Sequence, residues 1–144
     1  MAFYAKTITR AERLWDLLDA SADEGLTKAE MLREADITPT QWRNAIEYIK
    51  DVFQGAEQQP LCYDPLTHRY TLTEDVREEA NYMEWTARGL LRRMQRFENH
   101  LDAAASKFPQ DRRIRRVRRH ADMITEDLDD LVHDAENGSY SLAH

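Results

Sequence analysis

Apolar residues recur at Val76, Ala80, Met83, Ala87, Leu90, Met94, Phe97, Leu101, Ala104 and Phe108, in alternating steps of 4 and 3. After Lys107-Phe108-Pro109-Gln110-Asp111 a second series continues the alternation: Ile114, Val117, Ala121, Ile124, Leu128, Leu131 and Ala135. A mean spacing of ~3.5 residues, sustained this long, is the seam of a coiled coil. The two series face each other when the chain folds back at Pro109. Leu101 then meets Val117, Phe97 meets Ala121, Met94 meets Ile124 and Leu90 meets Leu128. The pattern predicts two helices, about 74–107 and 111–136, paired as an antiparallel hairpin, with Asn137-Gly138 as the stop of the second.

The first half carries shorter amphipathic segments, each announced by a capping signal. Thr9 and Glu12 stand three apart before Leu14, Trp15 and Leu18, which predicts a helix over about 10–20 closed at Gly25. Thr27 and Glu30 start a second helix, about 28–35, with Met31, Leu32 and Ala35 inward. Thr38, Pro39 and Gln41 start a third, about 39–53, with Trp42, Ala45, Ile46, Ile49 and Phe53 inward and Gly55 as its end. Two β-prone runs follow, Leu61-Cys62-Tyr63-Asp64 and Arg69-Tyr70-Thr71-Leu72, around the turn Pro65-Leu66-Thr67-His68.

Charge is distributed unevenly. The net −7 divides into −5 over residues 1–74, −3 over 75–87, +8 over 88–119 and −7 over 120–144. Arg112, Arg113, Arg115, Arg116, Arg118 and Arg119 fall at the hairpin tip. So many cations at a helix N-terminus oppose the helix dipole. The cluster is a candidate contact for nucleic acid or an acidic protein; the plainer reading is a solvated tip. Arg88, Arg92, Arg93 and Arg96 lie level with Asp122, Glu126, Asp127, Asp129 and Asp130, so cross-helix pairing is expected there.

The order helix, helix, helix, strand, strand over about residues 8–73 resembles the winged helix-turn-helix family. The stretches that carry it are Leu26 to Glu30, Ile37 to Ile46, and Tyr63-Asp64 to Tyr70-Thr71-Leu72. The resemblance implies a winged helix-turn-helix domain (1–73); with the antiparallel coiled-coil hairpin (74–137) read from the heptads and a C-terminal tail (138–144), a mainly α protein of three parts is expected. It further implies a transcriptional regulator on double-stranded DNA, with the third helix in the major groove and the wing on the backbone. The candidate contacts are then Lys28, Thr40, Gln41, Arg43, Asn44 and Tyr48, with His68 and Arg69 at the wing. Arg pairs in a bidentate way with guanine, and Asn or Gln with adenine. Such proteins commonly read paired half-sites, which implies a homodimer. Tyr82, Trp85 and Gly89 share one face of the long helix and are candidates for that contact or for packing on the first helix.

The same face also suits a solvated surface, and it includes Glu47. The alternative is therefore an adaptor that binds proteins through the acidic first domain and the basic tip. No phosphate loop, zinc-spaced histidine pair or catalytic constellation is legible, so no enzyme, cofactor or metal is expected. Single Cys62 excludes an internal disulfide. No apolar run approaches the ~20 residues of a membrane span, and a cytoplasmic protein is expected.

Overall fold

The first helix begins well before its predicted cap. The computed structural model describes residues 2–136, and in it α1 spans Ala2–Ser21. Thr9 lies inside this helix, where its hydroxyl donates to the Ala5 carbonyl at 3.1 Å instead of capping. The inward stripe explains the difference. Thr7, Ala11, Leu14 and Leu18 are all buried, so burial carries the helix through the Thr9 signal. The stop at Asn137-Gly138 and the tail 138–144 lie outside the described residues, as do the side chains of Phe3 and Ala135.

The next two starts fall where the sequence puts them. α2 spans Lys28–Ala35 and α3 spans Pro39–Tyr48. In each, both halves of the capping box are formed. The Glu30 N–H donates to the Thr27 hydroxyl at 3.2 Å, and Glu30 accepts from the Thr27 N–H at 3.3 Å. The Gln41 N–H donates to the Thr38 hydroxyl at 3.2 Å, and Gln41 accepts from the Thr38 N–H at 3.1 Å. Asp36, left-handed at φ 51°, closes α2 and turns the chain into α3. After Tyr48 the helix widens into a π-turn, Ile49–Phe53, and ends in the short α4, Gln54–Ala56. Gly55 is thus inside the helical run and not its end. Gln54 holds this junction: its amide donates to the Lys50 carbonyl at 2.8 Å and its oxygen accepts from the Leu61 N–H at 3.2 Å.

A small antiparallel sheet completes this half. β2 (Leu61–Asp64) and β3 (Arg69–Leu72) form the expected hairpin, with Tyr63 opposite Tyr70. A third strand was not legible in the sequence: β1, Leu26–Thr27, pairs with β3 to give the order β1-β3-β2. The core beneath is Ala11, Leu14 and Leu18 of α1, Met31 and Ala35 of α2, and Trp42, Ala45, Ile46 and Ile49 from α3 into the π-turn. Leu61 of β2 joins it. Cys62 is buried beside it, and its thiol donates to Glu79 at 2.8 Å. Burial and that carboxylate push the thiol well above its usual range, so it carries no nucleophilic thiolate at neutral pH.

Two long helices follow, α5 (Val76–Lys107) and α6 (Arg112–Glu136). Asp75 opens α5 by accepting from the Arg77 N–H at 2.9 Å. Asp111 opens α6 by accepting from the Arg113 and Ile114 N–H groups at 2.9 and 3.0 Å. The described residues up to Tyr82 form one compact unit and those from Met83 form another, a helical hairpin.

The hairpin seam is the predicted one at alternate positions: Ala87, Met94, Leu101, Ile114, Ala121 and Leu128 turn inward as expected, while Leu91, Glu98, Thr125 and Val132 take the places of Leu90, Phe97, Ile124 and Leu131. The residues turned inward are Ala87, Leu91, Met94, Glu98, Leu101 and Ala105, against Ile114, Ala121, Thr125, Leu128 and Val132. These keep the same alternation of 4 and 3 steps, so spacing alone fits either stripe. Alanine at 87, 105 and 121 suits close approach of the two backbones. Leu90, Phe97, Val117, Ile124 and Leu131, expected inside, are 38–49% exposed. The shift also leaves part of the expected charge pairing unformed. Arg92, Arg93 and Arg96 are exposed and make no ion pair among the described residues. Arg88 pairs with Glu84 on its own helix, and among the described residues a cross-helix bond joins Arg118 to Asp102 at 3.0 Å.

Glu98 is the acidic member of this seam. A hydrogen bond with Asp122, then partial burial, raises its carboxyl above the usual range. The folded hairpin therefore favours the protonated acid. That contribution is present at low pH and is lost as pH rises through the raised value, where two carboxylates repel across the seam. Glu98→Gln should keep the hydrogen bond without the charge. Its melting temperature, followed by circular dichroism, should exceed that of the wild type by a few degrees at pH 7.5, and the two should converge near pH 4. Equal melting curves at both pH values would remove Glu98 from the account of hairpin stability.

Candidate nucleic-acid interface

The outer face of α3 is built by the same residues that fix its inner face. With Trp42, Ala45, Ile46 and Ile49 buried, the helical period turns Thr40, Arg43, Asn44 and Glu47 outward. Thr40, Arg43 and Glu47 are exposed and Asn44 is half-buried. Arg43 has no hydrogen-bond or ion-pair partner among the described residues. Lys28, at the first position of α2, is brought to α3 by Trp42: its ammonium lies 4.8 Å from the ring centroid. A cation held over an indole face is attracted by the ring quadrupole, so Lys28 is held against α3 at Trp42.

Other candidates are committed to structure. Gln41 is half-buried and its carbonyl oxygen serves the cap of α3. Tyr48 packs edge-on against Tyr4 at 5.8 Å and Phe53 at 5.1 Å. Desolvation and the Tyr4 hydroxyl raise its phenol above the usual range. Arg69 reaches back to α2, where its guanidinium meets the Glu30 carboxylate at 3.3 Å and the Gly25 carbonyl at 3.2 Å. Glu30 therefore caps α2 and anchors β3 at once. The cap was readable from a three-residue spacing; the anchor joins residues 39 apart and follows from the sheet register, which places Thr27 opposite Arg69.

At the turn between β2 and β3, His68 is exposed and left-handed at φ 58°. Its Nδ1 lies 2.8 Å from the Tyr63 hydroxyl, and its N–H donates to the Asp64 carbonyl at 2.8 Å. The Asp64 carboxylate accepts from the Leu66 N–H at 2.9 Å, which holds its carboxyl below the usual range. Tyr63, which the sequence did not single out, fixes where the imidazole points. Its signal was its place in the strand next to the turn.

The hairpin tip presents the second basic surface. Arg112, Arg113, Arg115, Arg116 and Arg119 are exposed. Arg113 lies 3.7 Å from Asp111, whose carboxyl is held low by the Ile114 and Arg113 N–H groups. Arg112, Arg115, Arg116 and Arg119 make no ion pair among the described residues. Asp111 also answers the dipole problem, since a carboxylate at the first amides offsets part of the cost of cations there.

Among the described residues no group of three or more His, Cys, Asp or Glu side chains is placed to hold a metal ion. No helix is long and apolar enough to cross a membrane. No protein-family model, curated protein or solved structure matches the chain.

Proposed function

We propose that the chain is a winged helix-turn-helix regulator that reads double-stranded DNA with α3. The observation that carries the reading is the outward row of α3, where an unpaired Arg43 stands beside Asn44 and Thr40 with Lys28 fixed alongside. Placed in a major groove, Arg43 would bond the O6 and N7 of a guanine, and Asn44 the N6 and N7 of an adenine. Glu47 on the same row is an acceptor suited to the exocyclic amine of cytosine. Thr40 and Lys28 would bond phosphates and set the register. At the wing, His68 is the outward group, while Arg69 holds β3 to α2.

Selection from a random duplex pool at low salt tests this. One sequence should be enriched, and Arg43→Ala should weaken binding to it by ~10–100-fold and relax preference at one base pair. A pool that enriches nothing sinks the reading. A second reading, a protein-binding adaptor, is supported by the −5 charge of residues 1–74, which opposes phosphate attraction. It predicts no enrichment, and a bound protein that Arg43→Ala leaves in place.

A further inference from the structure

The hairpin carries a second apolar stripe that its own fold leaves open. Leu90 and Phe97 on α5, and Val117, Ile124 and Leu131 on α6, recur at intervals of 7 and are 38–49% exposed. Met83 extends the row at the same interval and is 60% exposed. A coiled-coil helix with one seam has no use for a second apolar row at the heptad interval; a helix in a larger bundle has.

We propose that this stripe is a homodimer interface, on which a second copy of the hairpin docks antiparallel to form a four-helix bundle. Charge along α6 selects the occupant and its direction. Residues 112–119 hold six arginines and no acid, and residues 122–134 hold six acids and no Lys or Arg. Ile124 stands at the start of the acidic stretch and at the middle of α6, with Val117 and Leu131 seven residues to either side. A two-fold axis across Ile124 sets α6 against the α6 of the second copy, with Val117 opposite Leu131 and each arginine third opposite an acidic third. A parallel arrangement would crowd two basic tips at one end and two acidic ends at the other. The unpaired tip arginines and the acids that find no cross-helix partner in one chain thereby meet each other. The size also fits. The 25 residues of α6 run ~38 Å, and two helices present a face ~20 Å wide. That is about 750 Å² per copy, close to the ~800 Å² per partner of a stable interface. The proposal does not depend on DNA binding.

Sedimentation equilibrium of the full chain at tens of micromolar tests it, with circular dichroism to confirm that each variant keeps its helices. The wild type should be a dimer. Phe97→Glu and Ile124→Glu, both at exposed positions, should each raise the dimer dissociation constant at least ~100-fold, while Met123→Glu, off the stripe, should not. A charge exchange tests the direction. One copy carries Arg113→Glu and Arg116→Glu, the other Asp130→Arg and Asp134→Arg. Each alone should be monomeric, and their mixture should form a one-to-one dimer. A monomeric wild type, a dimer that survives both glutamates, or a mixture that stays monomeric would each overturn the proposal.

Discussion

Gly25→Ala should unfold the first unit or leave it marginally stable, with a loss of at least about 3 kcal/mol. Two independent costs combine at this one residue. Its backbone sits at φ 69°, ψ −177°, a region open to glycine and closed to residues with a Cβ. A Cβ built there would stand 2.5 Å from the Tyr70 carbonyl oxygen and 2.5 Å from Thr71 Cγ2. The first neighbour is backbone in the central strand, so relief means moving β3 away from β1. That movement would also carry the Gly25 carbonyl off the Arg69 guanidinium and disturb the link from Arg69 to Glu30. By contrast, Gly55→Ala and Gly89→Ala meet nothing within 4 Å and should be neutral or slightly stabilising, because alanine favours helix. Urea titration of the three variants, read by circular dichroism, gives the comparison. A Gly25→Ala midpoint within experimental error of wild type would mean that the close approach of this loop to β3 is wrong.

Local chemistry was the legible part of this chain. The caps at Thr27 and Thr38 need only residues three apart, and both boxes form. The strands Leu61–Asp64 and Arg69–Leu72 were readable for the same reason, since β-branched and aromatic runs flank a Pro-containing turn. What failed was decided at longer range. Thr9 and Glu12 show a valid capping pattern, but the buried stripe through Thr7, Ala11 and Leu14 continues the helix past it. β1 is two residues long and exists because β3 offers its free edge. In the hairpin, Ala87 and Ala121 belong to both candidate stripes, and the alternate positions are filled by Leu91 and Val132 in place of Leu90 and Leu131, a one-residue shift that spacing does not resolve. The candidate DNA contacts divide along the same line. Arg43 and Asn44 follow from the helical period alone. That Gln41, Tyr48 and Arg69 are engaged elsewhere in the fold depends on partners that spacing does not reveal.

Trp42→Ala should cost about 3–5 kcal/mol, the range for losing a buried large aromatic, against a total of ~5–15 kcal/mol for a small domain. The side chain is 7% exposed and sits where three elements meet. Its ring packs edge-on against Tyr70 of β3 at 5.6 Å, and the Lys28 ammonium of α2 lies over it at 4.8 Å. The truncation therefore opens a cavity under α3 and releases Lys28 together. One atom of this residue works against the fold: the indole Nε1 is buried without a hydrogen-bond partner among the described residues, and an unmet buried donor costs roughly 1–3 kcal/mol. Trp42→Phe keeps most of the ring area and removes that donor, so its loss should be under about 1.5 kcal/mol. The pair separates packing from hydrogen bonding in one experiment, with the difference in urea midpoint as the readout. It bears on function too, because Trp42 fixes the rotation of α3 about its axis, and with it the direction of Arg43 and Asn44. Trp42→Phe should retain binding to a selected duplex, and Trp42→Ala should lose it even where the protein remains folded. Comparable losses of stability in the two variants would show that the orphaned indole N–H is satisfied in solution and that the packing difference has been overstated.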